Sequence, residues 1–154
     1  MTGAGGVRGV PGPWQAEAVA ERPDVPEWMV QRIGKVLTSL PDCYEEAAWV
    51  GTRWRVRQAT VAHVFGGEDQ LFRVTFRAEP DEVMAFEHLG APYFRGSWGG
   101  NVVGMLLDDA TDWDELGELL TDSYCIQAPA HLAELVPRPP AAAIDVRRPA
   151  NRPK

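Results

Sequence analysis

The spacing of hydrophobic positions along the chain changes several times, and each change marks an element. Within residues 27–40, Met29, Ile33, Val36, Leu37 and Leu40 recur at three- and four-residue intervals, which predicts a helix with one apolar face, ended by Pro41. Asp24, with Glu27 three residues on and Pro26 between them, reads as the capping box that starts it. Three short runs of strand character follow, over residues 44–50, 53–57 and 60–65, closed by Gly51 and by Gly66-Gly67, and they are expected to pair as antiparallel neighbours. In the second run Trp54 and Val56 alternate with Arg53, Arg55 and Arg57. Residues 71–78 give the clearest strand: Phe72, Val74 and Phe76 point one way and Arg73, Thr75 and Arg77 the other.

Pro80, Asp81 and Glu82 then open a second helix, whose stripe is Val83, Phe86 and Leu89 and whose end is Gly90. A glycine-rich loop over residues 91–101 leads to the apolar run VVGMLL, a strand covered on one face at least. Thr111 is placed to cap a third helix with the stripe Trp113, Leu116, Leu119, Leu120 and Tyr124, and Pro129 starts a short fourth. One helix, four strands, a helix, a strand and two helices make an α+β single domain: an antiparallel sheet with helices packed on one face.

Composition narrows this further. A chain of 154 residues with 45% hydrophobic content is the size of one domain. No apolar run approaches the roughly 20 residues of a membrane helix, and the N-terminus lacks the basic-then-apolar pattern of a secretory signal, so a cytoplasmic protein with no membrane partner is expected. Cys43 and Cys125 lack the spacing of a zinc site and read as reduced structural thiols. Residues 1–24 are rich in glycine and proline and residues 137–154 in proline, alanine and arginine. Neither stretch has a period, and both read as disordered tails around a domain at 25–136. Net charge is −1, −10 and +4 over residues 1–24, 25–136 and 137–154, and an acidic body is not the footprint of a strong general nucleic-acid binder.

The segments EEAAWVGTRWRVRQATVAHVF, LFRVTFRAEPDEVMAF and LLDDATDWDELGELLTDSYCIQAPAHLAELV resemble the MmcQ/YjbR family over roughly residues 27–136. The last is the most specific, with its aspartate-ended strand, acidic helix start, Ser123-Tyr124 pair and Ala-Pro-x-x-Leu stretch. The resemblance implies a CyaY-like α+β sandwich and a nominal DNA-binding role. Where the family usually carries a glycine and a basic residue after the arginine-rich strand, this chain has Gln58-Ala59, a poor two-residue turn that predicts a longer loop.

Arg53, Arg55, Arg57, Arg73 and Arg77 are expected on the sheet face opposite the apolar one, where guanidinium groups can meet phosphates, carboxylates or bases. The plain alternative is a solvated face whose arginines pair with Glu45, Glu46 or Glu79. A pocket built from Trp49, Trp54, Arg95 and Trp98 offers a stacking site for a small ligand. His63, His88 and His131 are scattered, no nucleophile sits in an elbow motif, and no catalytic centre is expected. The acidic run from Asp108 to Glu118 does not fit a calcium loop and reads as helix capping, so neither metal nor cofactor is expected. The reading is a non-enzymatic binding domain, monomeric by default, that takes DNA or another polyanion on its arginine face. The alternative is a small-molecule or protein-interaction module.

Overall fold

The computed structural model describes residues 22–96 and 99–137; the tail assignments for residues 1–21 and 138–154, and Trp98, lie outside the described residues. Helix α1 (Glu27–Leu37) buries Met29, Ile33 and Leu37, a strict four-residue stripe. Its N-cap is Pro26 with no side-chain bond, so the predicted Asp24–Glu27 box does not form. The chain then runs through β1 (Cys43–Ala47), β2 (Thr52–Val56), β3 (Ala59–Gly66), β4 (Phe72–Arg77), α2 (Pro80–Leu89), β5 (Tyr93–Arg95), β6 (Val102–Leu107), α3 (Trp113–Gln127) and α4 (Ala130–Ala133). The six strands form one antiparallel sheet in the order β1-β2-β3-β4-β6-β5. Arg22 lies against it, its Nη1 donating to the Gly66 carbonyl at 3.0 Å.

The capping box is found instead on α2, where Glu79 and Glu82 satisfy each other's backbone amides, and Gly90 ends the helix with φ +77°. On α3 the cap is Asp112 rather than Thr111. Asp112 accepts from the Glu115 amide, while the Thr111 hydroxyl turns back to the Asp108 amide.

Strand β5 lies in the stretch expected to be a glycine-rich loop. Three residues are too few to show a period. What holds them is the pairing of Phe94 with Gly104, whose bare backbone lets the ring lie flat against β6: a Cβ there would stand 2.1 Å from the ring. The β2–β3 connection is a two-residue turn, not the longer loop that Gln58-Ala59 suggested. Val56 pairs with Ala59, and Arg57 takes φ +56° to close the turn. Tyr44 Oη braces it by donating to the Arg57 carbonyl.

The helices cover one side of the sheet, α3 across β3 and β4, α2 against β5 and β6, and α1 against α3 and the first two strands. Trp54, Val56, Val64, Val74, Phe76, Leu116, Leu120 and Tyr124 fill the layer between and are at most 2% exposed. Burial of such side chains, at about 1.5–3 kcal/mol each, is the main favourable term for the fold.

One irregularity ties the two layers together. The β2–β3 register slips between Trp54 and Arg55, so that Val61 is an extra residue bulged out of the ladder. The freed backbone groups are met from α3. Gln127 Nε2 donates to the Thr60 carbonyl at 2.9 Å and Ser123 Oγ to the Val61 carbonyl at 2.7 Å, while Ser123 Oγ accepts from the Arg77 amide at 2.8 Å. Next to it Tyr124 Oη donates to the Pro41 carbonyl at 2.7 Å.

Candidate anion-binding face

Strand alternation gives the uncovered side of the sheet its composition. Rows of facing residues run across the strands: Glu46, Arg53, His63, Thr75, Gly104 and Phe94 make one, and Phe65, Arg73 and Leu106 another. Arg53, Arg55, Arg73 and Arg77 thus share the open face as expected, but β3 separates the two arginine strands and carries His63 and Phe65 between them. Arg57 does not join them, because its left-handed backbone turns it out of the strand and its Nη2 pairs with Asp42 Oδ2 at 3.4 Å.

Each of the other four has a partner within the chain. Arg53 Nε and Arg55 Nη1 both bond Glu46 Oε2, the latter at 3.3 Å, and Arg55 Nη2 donates to the Gln58 carbonyl at 2.6 Å. Those hydrogen bonds, chiefly that from Arg53, hold the Glu46 carboxyl below its ordinary range. Arg73 bonds Asp69, lowering that carboxyl in the same way, and its guanidinium carbon is 5.9 Å from the ring centroids of both Phe65 and Phe94. Arg77 Nη1 donates to Asn101 Oδ1 at 2.9 Å and meets no carboxylate among the described residues. Of the carboxylates expected as partners, only Glu46 serves. Glu45 is on the helix side of β1 accepting from Trp54 Nε1 at 3.1 Å, and Glu79 is in the α2 cap.

A cleft of about 320 Å³ opens on this face, with Ala48, Trp49 and Val50 of the β1–β2 loop on one side and Arg77 and Val102 on the other. His63 lies in it, Nε2 donating to the Val50 carbonyl at 2.5 Å, which fixes the protonated nitrogen and pins the loop to β3. Burial lowers the His63 pKa below 6.5, and the nearby Arg53 charge adds to this against the opposing effect of the carbonyl. Trp49 is fully exposed at the rim.

The expected four-residue pocket does not assemble. Trp49 lines the cleft, but Trp54 is wholly buried on the opposite face of the sheet, and Arg95 sits at the β5 edge with Nη1 3.6 Å from Glu87. His63, Thr75 and Asn101 were not expected as residues of a binding site, although Thr75 was placed on the arginine face and His63 was noted as an isolated histidine. His63 and Thr75 carry a readable signal, since they alternate with buried residues on two strands; Asn101 lies in a loop and has none. Among the described residues no group of three or more His, Cys, Asp or Glu is placed to hold a metal ion, and no helix is long and apolar enough to cross a membrane.

The YjbR family model matches residues 38–126, from the end of α1 to the last turn of α3, taking in the whole sheet. This chain belongs to the YjbR family. No curated protein matches its sequence. Among solved structures it is similar to the Deinococcus radiodurans protein DR2400, which carries a DUF419 domain, with 20% identity over 63% of this chain and 76% of that one and a TM-score of 0.55. At that identity the likeness is one of fold. Within this YjbR domain the Ser123-Tyr124 pair is structural: both side chains are buried and bond backbone carbonyls that the bulge and the α1–β1 connection leave open.

Proposed function

We propose that this YjbR domain is a non-catalytic binding module that takes an anionic polymer, single-stranded nucleic acid in the first instance, on the open face of its sheet. The observation that carries the reading is the partition of charge between the two layers. Helices α2 and α3 hold Asp81, Glu82, Glu87, Asp114, Glu115, Glu118 and Asp122 and no lysine or arginine, and α1 adds Arg32 and Lys35 against Glu27, so the three helices together are strongly acidic, whereas the open face holds four arginines against Glu46 and Asp69. A negative ligand is therefore repelled by one side of the molecule and drawn to the other. Phe65, Phe94 and the half-exposed Tyr44 lie among the arginines, and a flat sheet with interleaved rings and guanidiniums suits unpaired bases better than a duplex. A non-catalytic role is supported by the cleft itself: among the described residues no carboxylate, thiol or serine lines it, and the Nε2 of its histidine is committed to a carbonyl.

Anisotropy with a labelled ten-nucleotide single strand tests the reading. Four arginines less two carboxylates leave a net charge of +2 on the face, so log K against log salt should fall with a slope of about −1.4, roughly a sevenfold loss between 50 and 200 mM. Binding that ignores salt, or survives Arg55→Gln together with Arg77→Gln, contradicts it and favours an apolar protein-interaction surface.

A further inference from the structure

Resting on that reading, we infer that the cleft between the β1–β2 loop and Arg77 is a subsite for one nucleotide unit, with a base stacked on Trp49 and its phosphate on Arg53 and Arg77. The size fits: about 320 Å³ lies at the small end of the roughly 300–1,000 Å³ of small-molecule sites. The charge fits as well. On a chain of net charge −7, the charged groups lining this cleft among the described residues are Arg53 and Arg77, with no aspartate or glutamate beside them.

Both arginines keep donors in hand. Among the described residues Arg53 reaches Glu46 through Nε, leaving its Nη atoms, and Arg77 uses Nη1 on Asn101, leaving Nη2. The sheet register separates their Cα atoms by two strand spacings and two residues, about 12 Å, a gap that two long side chains close around one phosphate. The neutral groups suit a base edge. Thr60 contributes a hydroxyl, and His63, protonated on Nε2 toward Val50, has an acceptor nitrogen in its neutral ring. Trp49 supplies the remaining element. An indole left 100% exposed beside a cationic cleft gains its burial from a ligand, and base–aromatic stacking contributes about 1–3 kcal/mol.

The unit has two sources, a free mononucleotide or one unpaired nucleotide of a strand, and the experiment separates them. Calorimetry on the full chain with adenosine and uridine 5′-monophosphates, adenosine and orthophosphate should give binding by the monophosphates. Adenosine and orthophosphate should each bind about tenfold more weakly or worse. Trp49→Ala, at a wholly exposed position, and Arg77→Gln, which keeps a donor for Asn101, should each weaken the monophosphates by about tenfold, with unchanged melting curves confirming the fold. Monophosphate binding without binding of the ten-nucleotide strand supports the subsite and contradicts the polymer reading. Strand binding unaffected by both substitutions, with no monophosphate binding, overturns the subsite and leaves the polymer reading standing.

Discussion

Ser123→Ala removes a single hydroxyl and should be among the most damaging small substitutions in this protein. The side chain is 0% exposed and joins the bulge carbonyl of Val61 to the amide of Arg77, at 2.7 and 2.8 Å. Alanine fills the space without bonding either group. Each becomes a buried polar atom without a partner, at about 1–3 kcal/mol apiece, so a loss of about 2–6 kcal/mol is expected. Urea denaturation followed by tryptophan fluorescence measures this, with Thr121→Ala as the control. The Thr121 hydroxyl only back-bonds to Gly117 within α3, so its removal should cost well under 1 kcal/mol. Because the bulge and Arg77 border the cleft, Ser123→Ala should also weaken anion binding under conditions where the variant is still folded. A stability loss below about 1 kcal/mol would refute the view that α3 clamps the bulge.

Gly104→Ala sets a Cβ 2.1 Å from the Phe94 ring and should cost about 1–3 kcal/mol, with Phe94→Ala restoring part of it in a double-mutant cycle; strictly additive effects would contradict the close approach. The His63 ring should titrate below 6.5 by NMR. Because folding favours its neutral form, the stability it contributes is complete above pH 6.5 and declines as pH falls below that, and a midpoint at or above 6.5 counts against the buried setting. Burial pushes the Cys43 thiol up to about 11 from 9.0. Its contribution is whole below pH 9 and is lost as pH rises toward 11, and at pH 8 no more than one of the two thiols should react with a disulfide reagent in the native state, against both in denaturant.

How far the fold could be read from sequence depended on whether a pattern had room to repeat. The alternation of Phe72, Val74 and Phe76 with Arg73, Thr75 and Arg77 placed β4 and its faces correctly, and the α1 and α3 stripes did the same for two helices. Arg57 continued the alternation of Arg53 and Arg55 in sequence but not in space, because the pairing of Val56 with Ala59 made it a turn residue. Strand β5 has three residues and is held by a neighbour ten positions on, a relation no local period reports. Two helix starts were misplaced by a residue or two, at Asp24 and at Thr111, because neighbouring residues are all competent to begin a helix, whereas α2 opens at Pro80 as expected.

The candidate site was legible as a face and not as a cleft. Its arginines followed from strand parity, whereas their partners depended on the order of strands and on the loop at Ala48–Val50 folding over His63. Trp54 shows the difference most clearly. Its place in the arginine strand made it an inward residue and a pocket candidate at once, and the sheet leaves it only the first role.

What decides between an open-face site and any other is where an anionic strand touches the molecule. Amide and indole chemical-shift mapping of the full chain, titrated with the ten-nucleotide single strand at low salt, reports that site by residue. Binding on the open face should shift Arg53, Arg55, His63, Thr75 and Arg77 and the Trp49 indole and leave α2 and α3 unmoved; shifts confined to the helices, or none, would contradict a site on that face.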